Sequence, residues 1–267
     1  MRRSGAPGRW ALGGMFGLTV AFLYLPIAVL VGLSFNASGL PTSWGGFSTG
    51  WYEILAKDDD LLEAARNTLV VAASATAISV VIGTALAFGL ERAVRSTSLD
   101  AVAFVPMVVP DIVMAIALLS FYNLVFTQWL GLTLGLWSVI LGHAVFGIAF
   151  VAAIVRTRLR NFDDSTVEAS LDLGATEWRT FRFVTLPQIA PGVIAGALIA
   201  FTLSLDEFVI AFFTSGTSTT FPIKVYSMVR FGVTPEINAA ATVVVGISLL
   251  LVLAGLKASG GDAKETL

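Results

Sequence analysis

Residues 168–191 read EASLDLGATEWRTFRFVTLPQIAP, a polar stretch set between two long apolar runs. Ser165 followed by Glu168 has capping-box spacing, so a helix is expected to start there. Gly174 is placed to end it, in the left-handed backbone that glycine adopts at little cost. Thr176 can cap a second short helix that carries Trp178, Phe181 and Val184 on one face. Pro187 is expected to stop that helix, and Pro191 to open the next apolar run. The expected product is a helix–glycine–helix elbow on a membrane surface, a shape suited to docking.

The rest of the chain supplies the membrane. Of 267 residues, 56% are hydrophobic and 13% charged, against about 25% charged in a soluble domain. Several uncharged runs exceed the roughly 18 residues that mark a transmembrane helix. The fold class expected is all-α, a single polytopic domain over 1–267. Its six transmembrane helices fall near 12–35, 68–90, 101–121, 136–155, 193–213 and 237–256, with a loop at 156–191. The first run is longer than the roughly 7–15 residues of a signal-peptide core, so a retained helix is expected. Asp58, Asp59 and Asp60 read as a solvated loop before the second helix. Thr234, Pro235 and Glu236 read as the start of the last one.

Other chemistries are excluded or weakened by what is missing. The chain has no cysteine, hence no thiolate metal site and no cysteine nucleophile, and a single histidine, His143. That histidine lies among apolar residues and reads as a packed, hydrogen-bonded group. A net charge of −2 gives no support for nucleic-acid binding. No phosphate-loop motif is present, so the chain is expected neither to bind nor to hydrolyse ATP, and to hold no cofactor or metal.

Six helices place both termini on one side of the membrane. That side, with the loops around Arg92 and Arg156, carries 12 of the 16 Lys and Arg residues. The other side carries Lys57, Arg66, Lys224 and Arg230. The positive-inside rule makes both termini and the elbow cytoplasmic. Trp44, Trp51, Trp129 and Trp137 then fall near the outer interface, where aromatic belts sit.

Three acids lie inside apolar runs. Asp111 is about ten residues into the third helix, and Asp206 and Glu207 about thirteen into the fifth, near mid-membrane by the roughly 20-residue rule. Each ionised, lipid-facing acid costs about 2.5–3.5 kcal/mol on insertion scales. No Lys or Arg lies in the six apolar spans to compensate. A proton, a group from another chain, water in a cavity or a cationic substrate must do so. Pro110 is expected to kink the third helix beside Asp111. The plainer reading of these acids is protonated groups packed between helices. Phe212, Phe213, Tyr226 and Trp51 are candidates for cation–π contacts at the mouth of a path, or for interface anchors.

The elbow also carries a resemblance. Glu168-Ala169-Ser170, then Gly174-Ala175, then Val184, Leu186 and Pro187 keep the spacing of the coupling loop of ABC importer permeases, with Ser170 where the family has alanine and Val184 where it has isoleucine. The segments PMVVPDIVMAI (106–116), SLDEFVI (204–210) and FPIKVYSMVRFGVTPEINAAAT (221–242) are similar to the second permease subunit of spermidine/putrescine importers. The resemblance implies a type I importer permease fold in the bacterial inner membrane. It implies two ATPase subunits carrying ATP and Mg, a second homologous permease and an extracytoplasmic substrate-binding protein. It also implies a polyamine path along Asp111, Asp206 and Glu207. That family has Asp-Asp where this chain has Asp206-Glu207, so another small cationic or zwitterionic nitrogen compound stays open as substrate. A proton-coupled secondary transporter is the rival from another class. Inverted repeats would favour it, and none is seen in the sequence.

Overall fold

The structure, a computed structural model, describes residues 6–40, 43–94, 96–230 and 235–259. Every long element is helical: α1 Ala6–Leu33, α2 Gly50–Leu55, α3 Asp59–Phe88, α4 Thr97–Phe104, α5 Asp111–Phe121, α6 Gln128–Leu130 and α7 Leu136–Arg160. Then follow α8 Ser165–Asp172, α9 Glu177–Thr180, α10 Leu186–Asp206, α11 Val209–Thr214, α12 Phe221–Arg230 and α13 Pro235–Ser259. Among the described residues, five helical stretches are long and apolar enough to cross a membrane: Leu12–Leu33, Asp59–Ala93, Asp111–Leu130, Leu136–Arg160 and Glu177–Asp206. The last helix, α13, adds 25 residues.

The chain, expected as one domain, divides into two compact units, Met1–Leu61 with Val225–Leu267, and Leu62–Lys224. In the first, α13 packs against α1 and α2. α1 is apolar on every side, with Phe16 and Phe22 exposed along its length, as suits a helix surrounded by lipid. In the second, α7 is the central helix and packs most closely on α10. Their shared core holds Val151, Ala152, Val155, Leu159, Ile189 and Ala200, with Ala87 from α3. Small residues let these backbones approach. A Cβ on Gly83 would stand 2.8 Å from the carbonyl oxygen of Ile148.

Several boundaries differ from expectation, each for a local reason. The aspartates before the second helix are not a solvated loop. Asp58 Oδ1 accepts a bond from Leu61 N–H at 3.0 Å, and Asp59 and Asp60 occupy the first turn of α3. Carboxylates cap and complement a helix N-terminus. Arg156, Arg158 and Arg160 belong to the last turns of α7 rather than to a loop beginning at 156. The stretch after residue 214 contains α12, whose first amide, Phe221 N–H, is capped at 2.8 Å by Thr68 Oγ1. α13 begins with Pro235 and has Glu236 in its first turn; the expected cap, Thr234, lies outside the described residues.

Candidate functional site

The acids in the apolar runs sit at breaks between helices. The third helix was expected over 101–121, kinked and broken at Pro110, and the interruption is present but wider. α4 ends at Phe104, a tight 3₁₀ turn spans Val105–Met107, and Pro110 is extended at φ −55° and ψ 136°. Proline lacks the N–H that would continue the helix and pushes its predecessor out of the helical region. α5 restarts at Asp111, with the Pro110 carbonyl accepting bonds from Val113 N–H at 2.9 Å and Met114 N–H at 3.2 Å. The Asp111 carboxylate is exposed at this helix N-terminus, where the backbone dipole favours negative charge.

The fifth helix, expected over 193–213, starts earlier and is also broken. α10 ends at Asp206, Glu207 is extended at φ −67° and ψ 102°, and α11 begins at Val209. The break is closed by Glu207 itself, whose Oε1 accepts a bond from Ile210 N–H at 2.9 Å. α11 packs against α5. A Cβ on Gly142 of α7 would stand 2.7 Å from Ile210 Cγ2, so α7 too lies close against α11. Through this packing the two breaks meet, and Glu207 lies within electrostatic range of both Asp111 and Asp206. Asp206 is exposed and Glu207 half-buried. Glu207 is thus linked electrostatically to both other acids marked in the sequence, Asp111 on α5 and Asp206 on α10. His143 is buried as expected, with Nδ1 2.7 Å from Ser204 Oγ.

The elbow forms as α8, a turn and α9. Gly174 has φ +83°, the left-handed backbone expected of it. Thr176 Oγ1 accepts a bond from Arg179 N–H at 3.4 Å. The capping box of Ser165 and Glu168 does not form. The N-cap is Asp164, without a side-chain cap bond, and the carboxylate of Asp163 takes the Ser165 N–H at 3.0 Å instead. Bonds from the Ser165 hydroxyl and amide hold the Asp163 carboxyl below the usual carboxylate range. Pro187 does not stop the second helix. A wide π turn over Phe181–Thr185 leads straight into α10, which contains both Pro187 and Pro191. In a π turn the bonds reach five residues, so the proline falls where the ordinary four-residue bond is not required.

The extra residue of that turn also rotates the expected apolar face. Phe181 packs inward, edge-on to Phe88 at 5.6 Å. Trp178 stacks on Phe181 at 5.7 Å yet stays 65% exposed, beside Phe183 at 70% and Leu173 at 90%. All three are large apolar side chains exposed on the elbow. Of the motif residues, Glu168, Ala169, Leu186 and Pro187 are exposed, and Ser170 and Ala175 are partly buried.

One feature of this region was missed in the sequence. Arg156 pairs with Glu91 through Nε at 2.7 Å and with both oxygens of Asp100 at 2.8 and 3.0 Å. Arg160 joins Glu91 at 3.3 Å. Arg92 pairs with Asp164, immediately before α8, and lies over the Phe162 ring at 5.1 Å. The end of α7 thereby holds the end of α3 and the start of α4, and α3 holds the start of the elbow. The only signal in the sequence was Arg156 and Arg160 one turn apart, with acids on both sides of the Arg92 loop.

Broken backbone within apolar helices is tolerated where it is buried or lines a cavity, and acids placed there mark routes for ions or polar solutes. This is the architecture of a membrane transport component. The chain belongs to the family of binding-protein-dependent transport system inner membrane components, whose model matches residues 79–258. It is 40% identical to the spermidine/putrescine transport system permease protein PotC of Escherichia coli (strain K12), over 96% of this chain and 99% of that protein. It is 43% identical to the putrescine transport system permease protein PotI of the same strain, over 86% of this chain and 83% of that protein. A solved bacterial ABC transporter involved in import of the acidic polysaccharide alginate contains a chain of the same fold, with a TM-score of 0.71 at 14% identity, covering 97% of this chain and 99% of that one. The fold is thus that of an ABC importer permease. The protein is a multi-pass inner-membrane component of a binding-protein-dependent transport system.

Proposed function

We propose that this chain is the permease subunit through which an ATP-driven importer moves a polyamine of the spermidine/putrescine kind across the inner membrane. The observation that carries the reading is the placement of Asp111, Asp206 and Glu207 at two helix breaks. Among the described residues no Lys or Arg pairs with any of the three. A carboxylate in a partly dehydrated site attracts an ammonium more strongly than one in water. Acids on two separate helices suit a linear molecule carrying two or three ammonium groups. The relatives transport spermidine and putrescine by name, which agrees with that electrostatic argument.

In this reading ATP and Mg are bound by a dimer of ATPase subunits that docks on the elbow. Leu173, Trp178 and Phe183 supply the exposed apolar contact. Glu168, Ala169, Ser170, Gly174, Ala175, Leu186 and Pro187 shape the elbow that transmits ATPase closure to α10, continuous with α9 through the π turn. A second homologous permease completes the path, the binding protein delivers substrate from outside, and both termini lie in the cytoplasm. The test is uptake of labelled spermidine and putrescine by cells expressing the chain with its ATPase, second permease and binding protein. Uptake should vanish when the ATPase is omitted or its hydrolysis is blocked. Undiminished uptake without the ATPase would replace this reading with a secondary transporter.

A further inference from the structure

His143 is 5% exposed on α7, and its two ring nitrogens differ. Nδ1 is bonded to Ser204 Oγ at 2.7 Å, whereas Nε2 has no hydrogen-bond partner among the described residues. Buried polar atoms are almost always paired, with protein or with ordered water. Ser204 lies in the last turn of α10, three residues before Glu207. His143, Ser204 and Glu207 line one small cavity of about 10 Å³, otherwise walled by apolar side chains and glycine. That leaves room for a water molecule beside the ring and the carboxylate.

We infer that His143 is a positioning residue for Glu207, acting through Ser204 and through one water held in the cavity that ring and carboxylate share. The inference rests on the proposed role of Glu207 in the cation path. With the Ser204 hydroxyl donating to Nδ1, the neutral ring carries its hydrogen on Nε2 and donates to the water, which in turn donates to the carboxylate. Glu207 is then held from two sides, by α7 through this water and by α11 through Ile210 N–H on Oε1. A carboxylate fixed before substrate arrives loses less freedom on binding an ammonium. The bond to Ser204 also ties the last turn of α10 to α7, so the helix break that presents Glu207 has a fixed position.

The test is the concentration dependence of labelled putrescine uptake by the complete transport system. The variants are Ser204→Ala, His143→Leu, His143→Gln, Glu207→Gln and the doubles Ser204→Ala/Glu207→Gln and His143→Leu/Glu207→Gln, each checked for assembly with its partners. Ser204→Ala and His143→Leu should raise KM about fivefold, the scale of one lost hydrogen bond, with Vmax within about twofold of wild type. His143→Gln keeps an N–H donor and should recover part of the loss. In the doubles these changes should add nothing to Glu207→Gln. A histidine that only packs would lower Vmax and assembly at unchanged KM and add fully to Glu207→Gln, which overturns the inference. Impaired Glu207→Gln with wild-type KM in the Ser204 and His143 variants overturns it alone. Wild-type transport by Glu207→Gln overturns the role of Glu207 in the cation path and the inference together.

Discussion

Ser170 Oγ and Thr180 Oγ1 meet at 2.9 Å across the elbow, joining α8 to α9. Ser170 is the residue at which the motif departs from the alanine of its family, and the partner it finds is buried. The substitution therefore adds a tie to a turn whose direction Gly174 already sets. Removing one partner of a part-buried hydrogen bond costs about 1–3 kcal/mol. Ser170→Ala should speed amide exchange in α8 and α9 by about tenfold and lower substrate moved per ATP hydrolysed. Thr180→Val should do the same. Unchanged exchange in both variants would show that the elbow is held without this bond.

Gly174 sits at φ +83°, a region that costs a β-branched residue most. No atom stands within 4 Å of a Cβ built there, so the penalty of Gly174→Val is one of backbone alone. The variant should redirect α9, weaken co-purification of the ATPase or uncouple hydrolysis from transport, and leave the membrane helices inserted. Gly174→Ala should be milder. Wild-type transport by the valine variant would count against the elbow as the coupling element.

Arg156 is the hub of the ion-pair cluster and is only 11% exposed at its side chain. Arg156→Met leaves Glu91 and Asp100 without their main donor. It should lower the unfolding temperature of the purified complex, reflecting a loss of about 1.5–3 kcal/mol, the worth of a charged hydrogen bond. Arg156→Lys keeps charge but not the two-oxygen grip on Asp100 and should fall between. Equal stability of methionine and wild type would mean the cluster is solvated in the assembled membrane protein.

The absence of native cysteine makes orientation directly measurable. A cysteine at Asp172 should resist an impermeant thiol reagent added outside intact cells, and one at Ser218 should react. The reverse pattern would move the elbow to the outside and remove its ATPase role.

The sequence made some of this plain and concealed the rest. Helix existence and the turn between α8 and α9 were legible, because Gly174 and Thr176 act through local backbone chemistry, whereas the expected capping box at Ser165 and the stop at Pro187 did not form. The placement of Asp111, Asp206 and Glu207 within apolar runs was also plain, since acids there are conspicuous. The disruption at Pro110 was legible from the proline itself, but the full extent of the 105–110 break was not, and neither was the break at 207, where no glycine or proline stands. The meeting of Asp111 with Glu207 depends on α11 packing on α5. The π turn before Pro187 was hidden, since its register is decided by packing of Phe181 on Phe88. The pairing of Arg156 with Glu91 and Asp100 spans 65 and 56 residues, beyond any local signal.

The most direct test of the cation path is the uptake of labelled spermidine and putrescine by cells that rely on this system. Wild type is compared with Asp111→Asn, Asp206→Asn and Glu207→Gln at matched expression and assembly. Each substitution nearly keeps shape and removes charge. Loss of a charged hydrogen bond in a partly dehydrated site should reduce cation uptake about tenfold or more, with the complex intact. Wild-type rates in all three variants would contradict the cation path and leave a permease whose substrate is recognised elsewhere.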